Sequence, residues 1–184
     1  MLDHHSKIIG AVVKPHKQFN AIVEFLNDIG IEVHEQPLPD DTFLSGIMLD
    51  RGRLLVDRTS LLHPGDLLHE AGHIAVMAPS QRQVRVGNAG DEQGEEIAAH
   101  AWSYAAAVAC GVPPELVFHD DGYQGSGPHM ASLYREGAWP GVPLLAWYGL
   151  TGMPCREDQE AEKPVFPDMK AWIRTIEDPS QHEA

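Results

Sequence analysis

His69 and His73 stand four residues apart, with Glu70 directly after the first, inside the apolar run Leu67-Leu68-His69-Glu70-Ala71-Gly72-His73-Ile74-Ala75-Val76. On a helix, residues four apart lie one turn above each other on the same face. Both imidazoles therefore aim at one point, which is the geometry a zinc ion needs. A carboxylate next to the first ligand reaches a water held in an open coordination position. Leu67, Leu68, Ala71, Ile74, Ala75 and Val76 make the helix apolar nearly all round, the mark of a buried element. A buried helix that carries two histidines and a glutamate implies a use for them, because unpaired charge is costly away from water. The competing reading, two histidines on an exposed face, fits the apolar flanks poorly.

Two imidazoles do not complete a catalytic zinc site, which takes three protein ligands and keeps a position open. A third histidine in the pattern His-Glu-x-x-His-x-x-Gly-x-x-His is excluded, because Val76 and Pro79 occupy the glycine and histidine positions. The other common solution is a glutamate from a later helix packed on the first. Glu95 and Glu96 open such a stretch over residues 95–110, and its seven alanines permit close approach. Acidic residues suit a helix start, and Gly111 followed by Val112-Pro113-Pro114 is a stop signal.

Around these helices the pattern predicts a small sheet. Residues 7–13 and 31–34 read as short strands. Residues 15–27 read as a helix, with Phe19, Ile22, Val23, Phe25, Leu26 and Ile29 at helical spacing and Gly30 as its stop. Two β-prone runs, 42–49 and 53–57, joined through Asp50-Arg51-Gly52, predict a β-hairpin. Leu54-Leu55-Val56 is continuous rather than alternating, which predicts a strand buried on both faces. That strand, lying near the histidine helix, is also a candidate edge for pairing with an extended peptide. Pro64 and Asp66 suit the start of the histidine helix, and Pro79 ends it after Ala78. Residues 81–86 predict another short strand, 87–94 a polar loop, 118–129 a long polar loop of the kind that lines sites, and 167–176 a last short helix. His4, His5, His16 and His34 lie in separate contexts and read as surface histidines.

A length of 184 residues predicts one domain, with a core over 42–110 and a Gly/Pro-rich part over 111–184. The net charge of −14 and the lack of any Lys/Arg stripe speak against nucleic acid and against an anionic membrane surface. Cys110 and Cys155 suggest neither a disulfide framework nor a thiolate zinc site. No apolar run reaches signal or membrane-spanning length, so a cytoplasmic location is expected.

His69, Glu70, His73 and a glutamate at the start of the later helix resemble the signature of the gluzincin metallopeptidases, the superfamily of thermolysin, and especially its minimal single-domain members. The resemblance covers roughly residues 42–110. It implies an α+β, zincin-like fold, in which a small sheet with a β-hairpin packs on the active-site helix and a second, Ala-rich helix. It also implies zinc held by His69 and His73, Glu70 as catalytic base, and a peptide or protein substrate. Glu96 is the expected third ligand, since its neighbours at +4 and +7, His100 and Ser103, form a polar stripe. Glu95 is the rival, although its neighbours Ala99 and Trp102 suit a packing face; His100 is an outside candidate for ligand. Gluzincins stabilise the oxyanion with a Tyr or His from a later segment, which points to Tyr123, His129 and His119. The alternatives are a non-catalytic zinc-binding or partner-binding protein on the same scaffold, or a different metal-dependent chemistry on the same ligands.

Overall fold

The computed structural model describes residues 5–90, 92–122, 125–153 and 163–177, with side chains from residue 17 onward. The chain is α+β. Its first element, α1 (His5–Asp28), runs through the 7–13 stretch expected as a strand, so that stretch continues the helix that follows it. Phe19, Ile22 and Leu26 form the buried face of α1. Gly30 ends this segment at φ 93°, where Gly30 N donates to Asn27 O and Ile31 N to Leu26 O, closing the last turn as a Schellman cap.

Four short strands follow: β1 (Val33–Glu35), β2 (Ile47–Asp50), β3 (Arg53–Val56) and β4 (Val86–Gly87). They form an open mixed sheet in the order β1-β3-β2-β4. β2 and β3 are the expected hairpin, paired antiparallel with Asp50 opposite Arg53. The two-residue turn needs positive φ at both centres, and Arg51 (50°) and Gly52 (85°) supply it. Asp50 holds the turn by accepting from Arg51 Nη1 at 2.9 Å and Arg53 Nε at 2.9 Å. β1 pairs parallel to β3 on its other side. The continuous Leu54-Leu55-Val56 run is therefore interior and at most 9 % exposed. This overturns its expected role as an edge for a peptide, because both of its hydrogen-bonding sides are taken by neighbouring strands. Residues 81–86, expected as a strand, instead finish the one-turn helix α3 (Pro79–Arg82) and pass through a turn, with β4 beginning only at Val86.

The sheet packs on α2 (Asp66–Val76), which in turn packs on α4 (Gln93–Ala109). Leu67, Leu68, Ala71, Ile74, Ala75 and Val76 are all at most 1 % exposed, so α2 is enclosed as its apolar flanks imply. The approach to α4 is at backbone range. A Cβ on Gly72 would lie 2.9 Å from Ala99 O and 3.0 Å from Ser103 Oγ. Ser103, fully buried, donates its hydroxyl to Ala99 O at 2.6 Å and lies 3.1 Å from Leu68 O, which stitches the two helices together. α4 stops at Gly111, where Val112 N donates to Ala107 O in a second Schellman cap.

The last turn of a buried helix leaves carbonyls that must find donors. Arg82 Nε donates to Ile74 O at 2.7 Å and Arg82 Nη2 to Met77 O at 2.8 Å. Arg174, 1 % exposed, adds Nη1 to Val76 O and its backbone N to Ala75 O. Arg174 belongs to the segment expected as a final helix over 167–176. That segment is irregular instead, because its backbone bonds outward to Leu150 and Ala75 and its Trp172 packs edge-on against Phe25 and Trp102. A 3-10 turn (Pro114–Leu116) and two helices, α5 (Gly127–Arg135) and α6 (Val142–Trp147), complete the C-terminal part. No helix among the described residues is long and apolar enough to cross a membrane.

Replacing Gly72 by alanine tests the helix contact. The gain in helix propensity, about 1 kcal/mol, is outweighed by the overlap with Ala99 and Ser103. A net loss of about 1–2 kcal/mol is expected, read as a lower midpoint in urea denaturation.

Candidate metal centre

α2 and α4 face each other with one polar patch between them. His69 and His73 stand one turn apart on α2, and their Nε2 atoms lie 3.2 Å from each other. Across from them, α4 contributes Glu96 in its first turn. Its Oε2 lies 3.1 Å from His73 Nε2 and its Oε1 lies 3.6 Å from His69 Nε2. His100, one turn further along α4, places Nε2 at 2.8 Å from Glu96 Oε1.

These separations have chemical content. A tetrahedral ion with bonds of about 2.0–2.1 Å to nitrogen and oxygen holds its donors about 3.3–3.4 Å apart. The separations between the two imidazoles and the Glu96 carboxylate lie on either side of that figure. Donor atoms so close repel through their lone pairs unless a proton or a cation lies among them. The fit is to a divalent cation, and the nitrogen-plus-carboxylate donor set is one that zinc accepts readily.

Glu96, rather than Glu95, is the carboxylate turned to the histidines. Ala99 and Trp102, the helical neighbours of Glu95, are fully buried against the core. The polar stripe read from the sequence divides in two: His100 holds Glu96, while Ser103 serves the helix contact.

Glu70 is 5 % exposed and lines, with His69, His73 and Glu96, an open cleft of about 660 Å³. The cleft's other walls are the exposed side chains of Phe43 and Ile97 and the stretch Asn88-Ala89-Gly90 beside β4. Burial pushes the Glu70 carboxyl up to about 7, only partly countered by His73. Burial, with the neighbouring His73, pushes His69 down to about 3. Glu96 is held well below the usual carboxylate range, chiefly by its contact with His100 and then by that with His73. At neutral pH the patch thus presents an ionised Glu96, a neutral His69 with a lone pair to give, and a Glu70 close to its own midpoint.

The other sequence candidates are not gathered here. His129 is exposed on the first turn of α5 and lines no part of the cleft, because the chain after residue 118 turns back toward the start of α2. His119 lies at that helix start, with Nε2 2.9 Å from Asp66 Oδ1. Tyr123 lies outside the described residues, as do Cys155 and the side chains of His4, His5 and His16. His34 is a surface residue 2.9 Å from Glu32. Among the described residues, Asn88 and Gln93 join the histidines and glutamates as polar lining of the cleft. Both come from the 87–94 stretch read as a plain polar loop, and its position just before the acidic helix start was the available signal.

No family model, curated protein or solved structure matches the chain. Fold and site therefore define its class: an α+β chain with an open four-stranded mixed sheet and a histidine–carboxylate cluster between two packed helices.

The burial of Glu70 and His69 gives the metal-free protein a characteristic pH dependence. Between about pH 4.5 and 7 the folded chain keeps a Glu70 proton that the unfolded chain has released, so stability falls as pH rises through that window. His69 acts oppositely, since the unfolded chain binds the proton first, and stability falls as pH drops from 6.5 toward 3. In chelator at pH 8, Glu70→Gln should therefore be more stable than wild type, by on the order of 1–3 kcal/mol. The difference should vanish near pH 4. Urea midpoints at the two pH values check this.

Proposed function

We propose that the protein is a zinc-dependent hydrolase of the gluzincin type acting on peptide bonds, with His69, His73 and Glu96 as ligands and Glu70 as base. The observation that carries this reading is the convergence of two imidazole Nε2 atoms 3.2 Å apart on the Glu96 carboxylate, beside a buried Glu70 that lines an open cleft. A zinc ion bound there supplies Lewis acidity to the scissile carbonyl and acidifies a water molecule.

The chain's own residues do the rest. Glu70, with its proton affinity raised by burial to near neutrality, takes a proton from the attacking water and returns it to the leaving amine. His100 orients Glu96 through the 2.8 Å contact and keeps its carboxylate ionised. Asn88 and Gln93 are the polar side chains on the cleft wall, placed to bind the amide groups of a substrate. Phe43 and Ile97, large apolar side chains 77 % and 42 % exposed, offer an apolar residue of the substrate a surface to cover.

A second reading rests on His100. His69, Glu96 and His100 offer donor atoms within 4.8 Å of one another. Four protein donors, with His73, would close the site as in a structural zinc centre. The open cleft and Glu70 favour the hydrolase.

Glu96→Ala should weaken zinc binding by more than about tenfold in a chelator-competition titration, and Glu95→Ala should leave it unchanged. The reverse ranking would mean that the other carboxylate is the ligand. Glu70→Gln should keep its zinc while its cleavage of a peptide library falls by about 10²–10⁴-fold. Undiminished cleavage by that variant would remove Glu70 from the chemistry.

A further inference from the structure

A second histidine cluster lies against the start of α2, and no residue lines both it and the cleft described above. The rings of His63 and His119 stack with centroids 3.8 Å apart and planes 14° from parallel. His63 Nε2 lies 3.2 Å from Asp121 Oδ2. His119 Nε2 lies 2.9 Å from Asp66 Oδ1. The loop that carries His119 is fixed to the helix start by backbone contact, since any side chain at Gly65 would overlap the Leu116 carbonyl. The His119 ring is in turn covered by Gly122, where a Cβ would come within 3.1 Å of its Cε1.

This arrangement leaves one atom unexplained. With the Nε2 proton given to Asp66, His119 Nδ1 carries a lone pair, and that atom is buried with no hydrogen-bond partner among the described residues. A carboxylate on one ring nitrogen and an unused lone pair on the other is the state of a histidine set up to ligate a metal. His63, His119 and Asp121 each offer a donor within 4.8 Å of the others, in a cleft of about 220 Å³.

We propose that His63, His119 and Asp121 form a second divalent-cation site, with Asp66 as the positioning residue for His119. Two imidazoles and one carboxylate suit zinc or a neighbouring transition ion rather than magnesium or calcium, which prefer all-oxygen sets. Near-parallel rings direct their lone pairs side by side rather than at one point. Ion capture therefore turns the more exposed His63 ring out of the stack, while Asp121, 78 % exposed, closes on the ion from its loop. The bound ion ties the 119–122 loop to His63, on the segment that leads into α2.

The test uses the full chain carrying His69→Ala and His73→Ala, which removes the first histidine pair and so reads this site by itself. Calorimetric titration with zinc chloride should show one equivalent bound, lost on adding His63→Gln and weakened at least about tenfold by Asp121→Asn. Long-range proton–nitrogen spectra should show the His63 and His119 ring signals shifting together with the zinc added. If the folded double variant takes up no zinc, or if both added substitutions leave the isotherm unchanged, the proposal fails. Should the double variant not fold, the otherwise wild-type chain decides. Loss of one zinc equivalent in His63→Gln and weakened uptake in Asp121→Asn support the site, and equal uptake by all three proteins overturns it.

Discussion

The backbone contact between α2 and α4 at Gly72 and Ala99 sets the geometry of the histidine–carboxylate cluster between the two helices. Gly72 has no side chain and Ala99 almost none, so the helices approach until Gly72 nearly touches the Ala99 carbonyl. His73 follows Gly72 directly, and Glu96 lies three residues before Ala99, one helical turn along the same element. The donors are therefore held across a gap fixed by backbone rather than by long side chains. That is why Glu96, whose own side chain is 44 % exposed, still meets both imidazoles at close range. A larger residue at either contact position would push the two helices apart, and with them the nitrogen and oxygen donors.

A helix as enclosed as α2 needs both ends secured, because neither its first amides nor its last carbonyls can rely on water. The C-terminal end is met by two guanidinium groups, Arg82 and Arg174, which reach the carbonyls of Ile74, Val76 and Met77 between them. Two like charges in such proximity carry a cost, visible in Arg82, whose proton affinity is lowered first by burial and then by Arg174. The negative end of the helix dipole offsets part of it, and the Tyr148 ring face, 4.1 Å from Arg174, offsets more. The N-terminal end is met differently: the amides of Asp66, Leu67 and Leu68 donate to the carbonyls of His63, Pro64 and Gly65, while Gly65 packs on the Leu116 carbonyl and Asp66 pairs with His119. His69, Glu70 and His73 thus sit on an element braced from three separate stretches of chain.

Much of this was legible in the residues. The His69–His73 spacing, the enclosure of α2, the Arg51-Gly52 hairpin and both glycine helix stops follow from local rules of period, turn chemistry and capping. The preference for Glu96 over Glu95 also followed from helical period, since a polar stripe at +4 and +7 distinguishes the two faces of α4. Local rules failed where a segment's partners lie far along the chain. Residues 7–13 read as a strand by composition but extend α1. Residues 167–176 have helical spacing, yet their apolar side chains are satisfied by Phe25 and Trp102 and their arginine by α2. The Leu54-Leu55-Val56 strand is buried as its continuous apolar run predicts, but β1 and β2 occupy both of its hydrogen-bonding sides, a pairing its own composition does not encode.

By itself the sequence determined that two imidazoles and a glutamate share one face of a buried helix, because that depends only on a spacing of four residues and the apolar character around it. That the Glu96 carboxylate comes within reach of both imidazoles, which loop walls the cleft, and that His119 pairs with Asp66 rather than joining His69 were decided by tertiary structure. Those outcomes depend on how closely two helices pack and on where a loop returns, and such distances arise from contacts between residues far apart in the chain.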